Sequence, residues 1–316
     1  MKSKRKWAFC VGAVTVVAIA YNVYASRPRW SRQAYFALTY TLGRAEGCTF
    51  ADSISLQLSD GLQKEMSRIE ADCRSGPSER DDVLLWQTPY GEFWAPTGTN
   101  LPFLMAEQAL DLYGEHEFGV KPGDVVLDCG ANVGTFTRHA LNARAERVIA
   151  IEPSPRNAYC LRQTFRKEID EGKVVIVEAA VWHEPGSMQM AVFDNSALDS
   201  LVMRERAESS SKSTMIDVPL TTIDQLVTDL KLERVDFIKM DIEGAERNAL
   251  RGASETVRKH HPRLAIATEN LPDDIRMVPK IVHGFGRPYA QVNGACRMIR
   301  FMTLRPEVAQ FSPKEN

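Results

Sequence analysis

Short apolar runs recur through the second two-thirds of this chain, separated by segments whose apolar residues fall every three or four positions. Val125 to Leu127, Val148 to Ile151, Lys173 to Val181, Val235 to Met240 and Leu264 to Thr268 read as strands, most of them apolar on both faces. Thr135 to Ala143, Pro155 to Ile169, Ile223 to Leu230, Ala245 to Arg258 and Asp273 to His283 read as helices, with Thr221 as an N-cap. Strands that alternate with helices predict parallel β-α-β units. Two runs, Met188 to Phe193 and Met215 to Leu220, interrupt the alternation. The polar stretch between them contains Arg204 to Thr214 and reads as a mobile loop, either a lid or simple disorder. Tyr289 to Val292 and Met298 to Leu304, around Asn293-Gly294, predict a terminal hairpin.

Ahead of residue 125 the pattern differs. Ile54, Leu58, Leu62, Met66, Ile69 and Cys73 form one face of an amphipathic helix, weakened by Gly61. Arg74 to Asp82 reads as a linker, and Val83 to Trp86 with Glu92 to Ala95 as a short hairpin around Pro89-Tyr90-Gly91. Leu101 to Tyr113 reads as a helix. At the start, Lys2, Lys4, Arg5 and Lys6 precede an uncharged run from Trp7 to Ala25. As a helix this run spans about 28 Å, enough for one crossing of a hydrocarbon core of about 30 Å. A signal anchor is the first reading. A signal peptide cleaved after Val23-Tyr24-Ala25 is the second, and a buried helix the third. Arg27, Arg29, Arg32 and Arg44 among Trp30, Tyr35, Phe36 and Tyr40 suit either anionic headgroups or a solvated linker. The expected organisation is an anchor at 1–25, a juxtamembrane linker and amphipathic helix at 26–82, a catalytic domain at 83–305 and a tail at 306–316.

The 316 residues are 44% hydrophobic with a formal net charge of -2, so an ordinary core is available and no global field favours nucleic acid. Cys10, Cys48, Cys73, Cys129, Cys160 and Cys296 lack C-x-x-C spacing and suggest neither zinc nor a disulfide framework. The histidines lack metal-ligand spacing, so no metal is expected. His183, the best outside candidate for a base, sits in a surface turn.

The candidate chemistry starts at Asp128-Cys-Gly130-Ala-Asn132-Val-Gly134, a glycine turn between a strand and a helix. A dinucleotide turn offers amides and a helix dipole to a pyrophosphate, which Asp128 would repel. An ammonium would instead be attracted, and S-adenosylmethionine carries one on its amino-acid end. Gly130, without a Cβ, leaves room for a ligand at the backbone. Glu152 ends the second strand about twenty residues on, where a carboxylate can accept both ribose hydroxyls. Asp241 and Glu243 flank Ile242 at the end of the fourth apolar strand. Asp241 suits the methyl and acceptor site; Glu243 suits either that site or, preferably, a buttress for the next helix.

With these residues together, the chain resembles the FkbM-type family of S-adenosylmethionine-dependent methyltransferases. The matching pieces are Val125-Val-Leu-Asp-Cys-Gly-Ala-Asn-Val-Gly134, Val148-Ile-Ala-Ile-Glu-Pro153 and Ile238-Lys-Met-Asp-Ile-Glu-Gly-Ala-Glu246, the last being the most family-like. The resemblance covers about residues 100 to 305. It implies a Rossmann-like, seven-stranded, mostly parallel α/β sheet with one antiparallel strand, and O-methylation of a hydroxyl on a sugar, glycan or other metabolite. By carry-over, Asp128, Gly130, Asn132 and Gly134 form the cofactor loop, Glu152 holds the ribose and Asp241 borders the methyl. For the adenine contact only Glu178 offers a polar side chain.

A nicotinamide-dependent oxidoreductase and a non-catalytic adaptor are the alternatives. The first would need a phosphate turn and a catalytic Tyr-Lys pair or His. Orientation is pulled two ways. The basic N-terminus favours a cytoplasmic start and an external domain, but Arg27, Arg29 and Arg32 blunt the contrast. S-adenosylmethionine is made in the cytoplasm and the cysteines show no disulfide pattern. The domain is therefore expected to face the cytoplasm.

Overall fold

The computed structural model describes residues 29–51, 57–78, 80–193, 213–299 and 303–314. The chain forms two compact units, one from residues 1–57 with 296–305 and one from 58–295 with 306–316. The proposed anchor at 7–25 lies outside the described residues, as do 194–212, which hold most of the expected mobile loop. Among the described residues no helix is long and apolar enough to cross a membrane.

In chain order the elements are α1 (Arg29–Thr41), α2 (Gln57–Asp72), β1 (Arg74–Pro77), β2 (Val83–Thr88), β3 (Gly91–Pro96), α3 (Leu101–Ala109), β4 (Val125–Cys129), α4 (Thr135–Asn142), β5 (Arg147–Ile151), α5 (Pro155–Thr164), α6 (Arg166–Asp170), β6 (Val174–Val177), β7 (Ala180–Val181), β8 (Gly186–Phe193), β9 (Ser213–Thr221), α7 (Ile223–Asp229), β10 (Phe237–Met240), α8 (Glu246–Arg251), α9 (Ser254–His260), β11 (Arg263–Ala267), α10 (Asp274–His283), β12 (Tyr289–Asn293), β13 (Cys296–Ile299), β14 (Thr303–Pro306) and β15 (Val308–Pro313).

The larger unit is built on a seven-stranded sheet of order β12-β15-β11-β10-β4-β5-β6. All pairings from β11 to β6 are parallel, and β15 alone runs against both its neighbours. Successive strand residues face opposite layers. Leu127, Ile149, Ile238 and Leu264 pack toward Ile223 of α7, Leu250 of α8 and Val278 of α10. Val126, Val148, Phe237 and Ala265 pack toward Ile69 of α2, Phe93 of β3, Met105 of α3 and Phe136 of α4. Covered on both faces, these strands have no polar side to show, which is why they read as continuous apolar runs. The amphipathic helix of the second segment is α2, whose Leu62 and Ile69 join that second core.

Several boundaries differ from the sequence reading. Arg74–Pro77, read as linker, is β1 and extends the β2–β3 hairpin to three antiparallel strands. Lys173 to Val181 splits: β6 joins the large sheet and β7 leaves it for a three-stranded sheet with β9 and β8. The helix expected over Ala245 to Arg258 breaks at Gly252, where a Cβ would lie 2.2 Å from the Trp182 carbonyl oxygen. Thr222, not Thr221, caps α7, its hydroxyl accepting from the Gln225 amide at 2.9 Å.

The end of the chain departs most. The expected hairpin of Tyr289 to Val292 with Met298 to Leu304 does not form. Instead β12 pairs with β15, from Tyr289↔Pro313 to Asn293↔Ala309. The residues read as a tail at 306–316 thus supply the antiparallel strand that sits between β11 and β12. The intervening β13 and β14 pair with each other in the smaller unit. There Phe36 of α1, Leu304 and Cys296 form a small apolar cluster, and the Leu304 amide donates to the Arg44 carbonyl at 2.8 Å. A disulfide joins Cys48 to Cys296 across 248 residues of sequence. This corrects the reading of the cysteines: their spacing shows no pairing because only the fold brings these two together.

Candidate functional site

The parallel strands β4, β5, β10 and β11 end at one edge of the sheet, where open α/β folds place their ligands. The loop after β4 is tied down there. The amides of Gly130 and Ala131 both donate to the Ile151 carbonyl of β5, at 2.9 and 3.1 Å. Gly130, Asn132 and Gly134 take φ values of +79°, +51° and +90°. The two glycines are demanded by packing within the protein. A Cβ on Gly130 would lie 2.0 Å from the Asp241 carbonyl oxygen, and one on Gly134 2.3 Å from the Phe165 ring. The room at Gly130, assigned from sequence to a ligand, is thus filled by the chain leaving β10.

Asp128 is fully buried. Its Oδ2 accepts from the Thr137 hydroxyl at 2.7 Å, and its Oδ1 lies 3.3 Å from Lys239 Nζ. The register of β4 and β10 sets Lys239 directly beside Asp128 on the same sheet face. Lys239 Nζ also donates to the Gly130 carbonyl at 2.7 Å, and lies 5.3 Å from the Tyr113 ring centre. Burial alone works against this ammonium, but the Asp128 and Asp241 carboxylates outweigh it and hold its pKa above the ordinary lysine value. Asp128, expected to face a cofactor ammonium, is therefore spent on the protein's own lysine and hydroxyl.

Tyr113 completes the group. Its hydroxyl donates to Asp241 Oδ2 at 2.6 Å. Burial and then the Asp241 charge push its pKa well above the ordinary tyrosine value, so it remains a donor. Asp128, Lys239, Tyr113 and Asp241 form one continuous polar cluster beneath the glycine loop. A tyrosine and a lysine do meet here, but the lysine lies over the ring face while the hydroxyl serves Asp241.

Glu152 is buried behind the loop. Its Oε2 accepts from the Asn132 amide at 2.8 Å, and its Oε1 accepts from the Ser154 amide at 2.9 Å and from Asn157 Nδ2 at 3.3 Å. Two amide oxygens near it, Asn132 Oδ1 and Asn157 Oδ1, are buried without any partner in the protein. Glu178, the adenine candidate, is paired with Arg162. His183 is near Glu184 at the surface, 3.6 Å away.

Beyond β10 the turn bends sharply, with Glu243 at φ +54° and Gly244 at +100°. The buttress assigned to Glu243 is supplied by Glu246. Its fully buried carboxylate Oε1 accepts from the amides of Ile242 at 3.0 Å and Gly244 at 3.3 Å, and from Asn270 Nδ2 at 3.1 Å. Burial raises its pKa to about 7, against the lowering effect of the amide donors. Three residues of this cluster and turn thus escape the sequence reading. Lys239 carried a signal, a charge inside an apolar strand that must find a partner. Glu246 lay within the quoted motif without an assigned role. Tyr113 carried no signal, being 128 positions from its partner.

The family model of the methyltransferase FkbM domain matches residues 128–286, from the start of the glycine turn through α10. The chain belongs to the FkbM methyltransferase family. Its cofactor is S-adenosylmethionine, and the oxidoreductase alternative falls away. Similar proteins include the 31-O-demethyl-FK506 methyltransferase FkbM of Streptomyces tacrolimicus, 24% identical over 51% of this chain and 74% of its own length. The 2-O-methyltransferase NoeI of Sinorhizobium fredii is 26% identical over 44% of this chain, and 61% of NoeI is spanned. A crystal structure of methyltransferase FkbM from Methylobacillus flagellatus KT aligns with a TM-score of 0.45 at 17% identity, covering 67% of this chain and 54% of that one. Tyr113 and the disulfide both lie outside the matched segment.

Proposed function

We propose that this chain transfers a methyl group from S-adenosylmethionine to a hydroxyl of a sugar, a glycan or another metabolite, close to a membrane reached through residues 7–25. The observation that carries the reading is the Tyr113–Asp241 hydrogen bond at the end of β10, beside the glycine loop. Relatives named for oxygen methylation, NoeI and the FK506 methyltransferase, support a hydroxyl as the acceptor.

The loop residues suit the cofactor's amino-acid and ribose ends. Asn132 Oδ1, an orphaned buried acceptor, meets the need of an ammonium for oxygen partners. Glu152 would take the ribose hydroxyls on its carboxylate while its amide contacts hold the loop. Asp128 acts behind the loop, through Lys239 and the Gly130 carbonyl. Bound there, the cofactor would supply an electrophilic methyl group for transfer to the acceptor oxygen. Asp241 accepts the acceptor's proton. Tyr113 fixes one oxygen of that carboxylate, leaving the other to face the hydroxyl, so alignment is set before reaction. Glu243 shapes the turn that aims Asp241.

Isothermal titration with S-adenosylhomocysteine, followed by incubation with labelled S-adenosylmethionine and a membrane glycan extract, tests this. Binding together with base-stable label on the glycan is the expected result. Binding without transfer to any extract would favour the adaptor, and label on nitrogen or carbon would overturn the hydroxyl acceptor.

A further inference from the structure

We propose that this methyltransferase folds and works in an oxidising compartment, with its domain on the non-cytosolic side of the membrane. The observation is the disulfide between Cys48 and Cys296. Such bonds persist in secretory lumens, periplasms and outside cells, whereas cytosolic thiol systems keep cysteines reduced. The setting is that of a structural bond. Cys296 is buried beside Phe36 and Leu304, with Tyr35, Ala45 and Met298 packed around them. Residues 45 and 304 bridge in parallel next to it. A redox sensor needs an accessible thiol, and these side chains close off Cys296.

The other described cysteines agree. Cys73, Cys129 and Cys160 are all buried. Burial raises the pKa of each, that of Cys160 to about 12, so little reactive thiolate is presented to an oxidant. The described surface is thus free of thiols that oxidation would scramble. The N-terminal charges lean the same way by a small margin: Lys2, Lys4, Arg5 and Lys6 lie ahead of the uncharged run at 7–25, against Arg27, Arg29 and Arg32 directly after it.

This orientation replaces the cytoplasmic one expected from cofactor supply. It requires S-adenosylmethionine to be carried across the membrane, and it limits acceptors to hydroxyls displayed on the far side, such as those of exported glycans. It does not depend on the identity of the acceptor, and its test does not use methyl transfer.

The full-length chain is expressed in cells that are lysed in denaturant containing N-ethylmaleimide, so that every free thiol, buried ones included, is blocked. It is then reduced and labelled with a polyethylene glycol maleimide. In parallel, proteinase K is added to sealed vesicles with the cytosolic face outward. The expected result is a mobility shift that needs reduction and disappears in Cys48→Ser, together with a domain protected until detergent is added. Blocking of both thiols before reduction would overturn the oxidising compartment. Digestion of the domain in intact vesicles would overturn the orientation even if the disulfide is present. The labelling of the wild-type chain stands whether or not Cys48→Ser folds.

Discussion

Glu246→Gln isolates a buried carboxyl at the centre of the β10 turn. Oε1 of Glu246 receives the Ile242 and Gly244 amides and Asn270 Nδ2, while Oε2 is buried without a partner. Burial is the main cause of a pKa raised from 4.5 to about 7, with the Asp241 and Asp274 charges adding to it. Below pH 4.5 the group is protonated in folded and unfolded chains alike, and its stabilising contribution is fully present. As pH rises further, the unfolded chain releases the proton and the folded chain keeps it, so stability falls until the folded group ionises near 7. A tenfold difference in proton affinity between the two chains is worth about 1.4 kcal/mol, so the loss across this window is about 3 kcal/mol. Glutamine keeps the accepting oxygen and stays neutral. Relative to wild type, Glu246→Gln should therefore gain about 3 kcal/mol between pH 5 and pH 8, or about 6–12 °C in melting temperature. Thermal unfolding of both proteins by circular dichroism at matched pH values measures the difference, which removes the titration of all other groups. Parallel pH curves for the two proteins would refute the reasoning, because they would mean that Glu246 ionises in the folded chain as it does in the unfolded one.

Gly130→Ala should cost about 2–6 kcal/mol in urea unfolding, since its Cβ meets the Asp241 carbonyl at a positive φ; an unchanged midpoint would deny the close approach. Asp241→Asn should depress transfer from labelled S-adenosylmethionine to a glycan extract while S-adenosylhomocysteine affinity holds, and Tyr113→Phe should lower the rate by about 10–150-fold, the equivalent of one hydrogen bond to a charged group. Wild-type rates in either variant would remove the pair from the reaction. Glu152→Ala should weaken S-adenosylhomocysteine binding by about 1.5–3 kcal/mol and speed hydrogen exchange at the Asn132 amide; weaker binding with unchanged exchange would separate the ribose role from the loop contact.

The core sheet and the glycine turn after β4 were legible in the sequence because each depends on a local pattern. Strands buried on both faces leave continuous apolar runs, and the turn from Gly130 to Gly134 requires left-handed backbone at positions where glycine and asparagine stand. The sequence also placed Glu152 and Asp241 at strand ends, since their position along each run is enough for that. What the carboxylates touch was a different matter. Asp128 stands the same distance from its glycines whether it faces a ligand or a lysine. Only the β4–β10 register sets Lys239 beside it. Tyr113 reaches Asp241, Cys48 reaches Cys296, and Val308–Pro313 enters the sheet through contacts that no local window contains. Such long-range pairs are decided by the whole packed fold, in which burial leaves each polar group only the partners that tertiary structure brings within reach.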